Sequence, residues 1–370
     1  MFLKTVMERN QPLVRLGIEW QQNGVILPDT YLLDYDTILE NARSIKQAGD
    51  ANGVHNFFML KQIGRNPLIA RALTDMGYVG AVCVDFREAL TMVENQIPLG
   101  NVGHLVQIPR AALKKILRAK PVIVTVYTLE KAREISAVCT ELGLHQKLML
   151  RVLGEGDMLY SGQYGGFELQ ELDSAVRAIE AMPNVEVGGV CSFPCFLYDE
   201  AAQDILPMPN LRTVQTAAEM LRARGYRDLM LNTPSATCTH SIPMIAAAGG
   251  THGEPGHGLT GTTPYHAGHP DAEERPGYLY VSEVSHNLGD KAYCYGGGHY
   301  RRGHMKNALV GTTPENAKVV PVLPPDDSSI DYHFELQQNC PVSAAAVMAF
   351  RTQFFVTRSR VAVVLSLIHI

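Results

Sequence analysis

Val54-His55-Asn56-Phe57-Phe58-Met59-Leu60-Lys61, followed by Gln62-Ile63-Gly64-Arg65-Asn66-Pro67, is the stretch on which the reading of this 370-residue chain turns. An apolar, aromatic run without helical period reads as a buried strand, and it stops on one lysine with a glycine three residues later. Such a lysine is either a solvated strand end or an amine held at the rim of a core. The second arrangement lowers the pKa of an ammonium and aims it, which Schiff-base chemistry requires.

Outward from this strand the pattern alternates. Strands are predicted at 54–60, 78–85, 102–108, 121–126, 147–153, 185–193 and 228–232, with a last strand end at Thr251. Helical spacing fills 86–96, 110–119, 130–142, 169–181, 211–224 and 241–248 between them. Eight strands alternating with helices predict a (β/α)8 TIM-type barrel over residues 1–270, whose chemistry belongs at the strand C-termini, where Lys61 lies. A short strand at 30–34 and a helix over 35–47 come first. Past Pro270 the pattern changes to strands at 278–284, 319–322, 333–336, 347–350 and 354–363, which predicts a smaller all-β domain over 276–370. Asp271-Ala272-Glu273-Glu274-Arg275-Pro276 marks the boundary. Residues 365–370 stop without a cap or closing helix, and read as a non-native end on a truncated β-domain.

Composition narrows the function. A net charge of -5 without charge blocks gives no basic footprint for nucleic acid and no polybasic membrane anchor, so a small-molecule ligand is expected. Seven cysteines, an odd number with no CxxC pair, together with a start that lacks the apolar core of a signal peptide, point to a cytoplasmic protein. No run is apolar for long enough to span a bilayer.

The second informative stretch is Thr251-His252-Gly253-Glu254-Pro255-Gly256-His257-Gly258-Leu259-Thr260-Gly261-Thr262-Thr263-Pro264, after the eighth strand. Glycines there make either a tight turn or a loop whose free backbone N–H groups point at a phosphate. His252, His257, His266 and His269 lie close in sequence and open a rival reading, a barrel metallohydrolase. Against it, the first strands carry no His-x-His pair, and Glu254 and Asp271 are the carboxylates near the cluster.

Taken together these stretches resemble the alanine-racemase-like, fold-type III pyridoxal-phosphate enzymes, over nearly the whole chain. The combination is most similar to the YhfX-type bacterial branch and its ornithine-racemase-like neighbours. The resemblance implies pyridoxal 5'-phosphate as cofactor, Lys61 as its Schiff-base lysine, and a homodimer. Arg65 stands four residues on, where alanine racemases have a phosphate-contacting tyrosine. Ser192-Phe193-Pro194-Cys195 replaces a Thr-His-Phe context, so Phe193 either stacks on the cofactor ring or packs in the core. Asn232-Thr233-Pro234-Ser235 echoes an Asn-Ser phosphate motif and nominates Ser235. The family's Arg-Pro-Gly-x-x-x-Tyr-Gly motif lines up on Glu254 to Gly261, which gives Gly256 and His257 backbone N–H groups for phosphate.

Glu254 in place of arginine keeps the pyridine nitrogen protonated, the stronger electron sink. Glu-Pro-Gly is similar to ornithine- and diaminopimelate-type decarboxylases, but their Gly-Gly-Gly loop is found here only at Gly296-Gly297-Gly298 in the β-domain, and no acid follows Cys340. The family also lends a β-domain residue to the partner's site; Tyr295 is the nominee, with Cys294 and His299 behind it. Arg351 is a candidate for a substrate carboxylate. The expectation is therefore an amino-acid racemase or epimerase working through a Lys61 Schiff base and a quinonoid. Decarboxylation is the alternative. A cofactor carrier without catalysis suits single-domain barrels better.

Overall fold

The computed structural model describes residues 1–367. Residues 368–370, the end of the segment expected to be non-native, lie outside the described residues. The described residues form two compact units: one takes Met1–Ala42, Lys61–Gly64 and the described residues from His257 on, and the other takes Arg43–Leu60 and Arg65–Gly256.

The second unit is a closed parallel barrel. Its strands are His55–Asn56 continuing into Phe58–Met59, then Ala81–Cys83, Leu99–Val102, Ile123–Val126, Gln146–Leu153, Val185–Cys191, Met230–Asn232 and His252–Gly253. Closure is explicit in the register: Phe58 pairs with Ala81 on one side, and His55 pairs with His252 on the other. A core of Phe57, Met59, Val82, Val84, Ile123, Met149 and Cys191 fills part of the interior, as alternate strand positions demand. The expected strand at 102–108 lies instead at Leu99–Val102. Gly103, at φ +90°, turns the chain out, and the Gln107 amide donates to the carbonyls of Gly103 and Thr125, which fixes the following residues as a loop. Elements not anticipated include a helix at Pro67–Asp75, a short strand at Phe167–Glu168 and a hairpin of Phe196–Asp199 with Asp204–Pro207.

The first unit is antiparallel. Tyr278–Leu288 pairs through Tyr280 to Glu283 with Ala345–Met348 and through Val284 to Leu288 with Lys291–Tyr295, and Asn307–Gly311, Lys318–Leu323 and His333–Leu336 complete the ring between them. Thr30–Asp34 lies antiparallel on Tyr278–Leu288, and Arg360–Val364 adds a parallel strand beyond it. The strand at 30–34, counted with residues 1–270 from sequence, is thus part of this sheet. The lead-in is also structured: helices Leu3–Arg9 and Gln11–Gln22 bury Phe2, Val6, Leu13, Leu16 and Ile18 with Leu279, Val281 and Val347. The strands at Lys291–Tyr295 and Asn307–Gly311 escape sequence reading, because each is short and ends in polar or glycine residues. The predicted strand at 354–363 begins as a single turn, Phe354–Val356. Among the described residues no helix is long and apolar enough to cross a membrane.

Candidate active site

In the barrel unit the chemistry converges on Glu254, just past the eighth strand. Its side chain has no solvent exposure. Oε1 accepts from Asn232 Nδ2 at 2.6 Å, on the seventh strand, and from Asn101 Nδ2 at 3.2 Å, on the third. Thr125 on the fourth strand donates to Asn101 Oδ1 at 2.7 Å, which agrees with an Asn101 amide turned to give its N–H to the carboxylate. The Glu254 backbone N–H is taken by Thr237 Oγ1 at 3.1 Å. Oε2 lies 3.7 Å from His104 Nε2 and, among the described residues, has no hydrogen-bond partner. A buried carboxylate oxygen without a donor is costly, and a ligand N–H relieves that cost.

Around this carboxylate, Cys191 Sγ lies 4.0 Å from His104 Nδ1, so Cys191, His104 and Glu254 stand in a row. The row is not a nucleophilic triad, because burial above all pushes the Cys191 thiol up to about 12 and leaves it protonated. Phe193 meets the His104 ring edge-on at 5.6 Å and tilts against Tyr160 at 5.7 Å. Arg151, on the fifth strand, is completely buried. It donates to Tyr127 Oη at 2.8 Å and to the Gln163 carbonyl at 2.8 Å, and Tyr127 in turn donates to the His104 carbonyl at 2.6 Å. Arg151 Nε has no partner among the described residues.

Asn101, His104, Thr125 and Arg151 were missed from sequence. Of the four, Arg151 left a signal, in Leu148-Met149-Leu150-Arg151-Val152, where one charge interrupts an apolar strand. The nominated phosphate residues are less committed. Ser235 donates to the Phe196 carbonyl at 3.1 Å, so its proton already has an acceptor. Arg65 stands 3.6 Å from an Asp85 oxygen and 3.7 Å from Glu88, two carboxylates that offset its charge. Gly256 is buried.

In the other unit Lys61 opens a turn immediately after Leu60, and its carbonyl accepts from Phe354 N–H at 3.0 Å. Gly64 turns left-handed at φ +65°, and a Cβ there would approach Val361 to 3.0 Å. The His257 side chain accepts at Nε2 from Arg351 Nε at 3.3 Å. A neutral ring then carries its hydrogen on Nδ1, which lies 3.2 Å from Thr262 Oγ1. Burial, then the charges of Arg351 and Lys61, push this imidazole well below its usual range, so it stays neutral beside two cations.

Tyr295 is 38% exposed, with its ring 5.8 Å from His333. Cys294 points the other way, into the core, and burial pushes its thiol up to about 12, which makes it the poorer acid/base candidate. His299 is half-buried, and its Nδ1 has no partner among the described residues. Gly297 and His299 give their backbone N–H groups to Asp331 Oδ2 at 3.1 and 3.0 Å, so the protein's own carboxylate occupies this glycine loop.

The four histidines of the metal reading have separate occupations. His252 stacks on Phe57 at 5.2 Å, His257 meets Arg351, His266 bonds Glu274 at 3.0 Å, and His269 stacks on Tyr265 at 4.0 Å. Among the described residues no group of three or more His, Cys, Asp or Glu side chains is placed to hold a metal ion.

Residues 33–264 match the family described as alanine racemase, N-terminal domain, and residues 279–369 match the one described as YhfX-like, C-terminal domain. The YhfX protein of Escherichia coli (strain K12) is 43% identical over 366 residues, which are 98% of this chain and 94% of that protein. A diaminopimelate decarboxylase from M. jannaschi superposes with a TM-score of 0.68 at 14% identity, over 94% of this chain and 89% of its own. An alanine racemase from Corynebacterium glutamicum does so with a TM-score of 0.62 at 16% identity, over 92% of this chain and 100% of its own. At such identities the two structures speak for the fold alone.

Proposed function

Because the chain belongs to the family built on the alanine racemase N-terminal domain, here joined to a YhfX-like C-terminal domain, we propose that it is an amino-acid racemase or epimerase using pyridoxal phosphate. The observation that carries the cofactor reading is the buried Oε2 of Glu254, an acceptor with no donor among the described residues, which suits the N–H of a protonated pyridine. When bound, the cofactor draws electrons from Cα of an attached amino acid. The protein's part is to bind, orient and move one proton on each face.

Lys61 is assigned to hold the cofactor through its amine and to move the Cα proton on one face. Tyr295 is proposed for the other face, acting from the partner chain of a two-fold dimer, with His299 as the alternative on the same unit. Glu254 takes the ring N–H, and Phe193 flanks the ring. Gly256 and His257 contribute backbone N–H groups to the phosphate. Ser235 joins them by releasing the Phe196 carbonyl, and Arg65 adds whatever charge Asp85 and Glu88 leave it. Arg351 receives the substrate carboxylate. The seven buried cysteines, an odd number, support a reducing, cytoplasmic setting.

One matched fold carries a decarboxylase and another a racemase, so the reaction is tested directly. Incubated with pyridoxal phosphate and a panel of amino acids in deuterated water, the protein should exchange a Cα hydrogen and erase chirality without releasing carbon dioxide. Stoichiometric carbon dioxide would move it to the decarboxylases.

A further inference from the structure

We propose that Asn101, oriented by Thr125, is a positioning residue that fixes the Glu254 carboxylate so that Oε2 faces the ligand and selects a ring bearing an N–H. The proposal rests on the pyridoxal-phosphate reading, and asks what makes Glu254 selective. A carboxylate has two equivalent oxygens and turns easily about its last bond, so its aim has to be imposed from outside.

Here two amides impose it. Asn232 and Asn101 both donate to Oε1, from the seventh and third strands, and two donors on one oxygen set the plane of the carboxylate and the direction of the other oxygen. An asparagine side chain presents either its oxygen or its nitrogen, so Asn101 itself has to be held one way round. The hydroxyl of Thr125 donates to Asn101 Oδ1 at 2.7 Å, and the second amide hydrogen meets Met149 Sδ at 3.9 Å, so both ends of the amide are engaged.

The donors thus run one way, Thr125 to Asn101 to Glu254, from the fourth strand through the third to the end of the eighth. Flipping Asn101 would oppose its oxygen to Glu254 Oε1, two acceptors at contact distance.

The test compares binding of two aldehydes that differ at one ring atom: pyridoxal 5'-phosphate and its 1-deaza analogue, which carries C–H in place of the ring nitrogen. Dissociation constants come from equilibrium dialysis, with thermal melting as a check that each variant is folded. Wild-type protein should prefer the pyridine by roughly tenfold to hundredfold, the worth of one charge-assisted hydrogen bond. Thr125→Val, nearly isosteric, and Asn101→Leu should both cut this preference several-fold while leaving affinity for the 1-deaza compound within about twofold. Thr125→Ser restores the hydroxyl and should restore the preference. Variants that keep the full wild-type preference overturn the proposal. Equal binding of both aldehydes by wild type overturns the role of Glu254 and the proposal with it. Binding of neither overturns the pyridoxal-phosphate reading as well.

Discussion

Lys61 and Glu254 show how differently a single side chain can be held. Lys61 takes its place from the backbone: it is the first residue of a turn, with its carbonyl engaged by Phe354. Removing its amine therefore removes chemistry and little packing. Lys61→Ala should stay folded, with an unchanged melting curve, while borohydride no longer fixes pyridoxal phosphate to the protein; mass spectrometry of the reduced wild-type and variant chains checks this. If the variant is still labelled, the Schiff-base assignment belongs to another lysine. Glu254 is held by side chains from three other strands, and no local spacing announces such a set. The glutamate was readable because it replaces an arginine in a motif. Its holders were not, because Asn101, Thr125 and Asn232 are ordinary polar residues until a closed sheet brings them together.

At the level of elements, the strand that ends before Lys61 was legible from its apolar run, and the turn and helix behind it were not. Gly64 and Arg65 both sit at positive φ, +65° and +54°, and Asn66 then caps the helix Pro67–Asp75 by accepting from Leu68 and Ile69 N–H at 2.9 and 3.2 Å. Asparagine followed by proline is a sound helix start, and no element was assigned there from the sequence. Asn66→Ala should cost about 1 kcal/mol in urea unfolding, the usual worth of an N-cap. Alternation carried the barrel correctly because each strand is buried on both faces and each helix keeps one apolar side. It failed at the third strand, where Gly103 ends pairing before the apolar residues that follow, and in the short β-hairpins, whose pairing depends on partners distant in sequence.

For the whole molecule, titration of buried imidazoles sets an acid limit. Burial, reinforced by His55, holds His252 at about 4, well under its ordinary value of 6.5. An unfolded chain takes up that proton as the pH falls below 6.5 and the folded one does not until about 4. The stabilisation is thus complete above pH 6.5 and is lost across that window, by about 3 kcal/mol for His252. His257 shifts in the same direction and adds to the loss. Urea unfolding at pH 7.5 and 4.5 should show a large drop for wild type and a smaller one for His252→Gln. Equal drops would mean that His252 titrates normally in the fold.

Thr30–Asp34 pairs with Tyr278–Leu288, a partner about 250 residues further along the chain. During synthesis at roughly 5–20 residues per second, that strand and the apolar sides of the helices before it wait on the order of 10 to 50 s for their partners. The barrel, complete by Gly253, can close during that delay. Ribosome-bound chains halted between the two partners should therefore carry a protected barrel and a protease-sensitive amino terminus that binds holdase chaperones. A circular permutant that joins the two ends and opens elsewhere would shorten the delay and lessen its need for them.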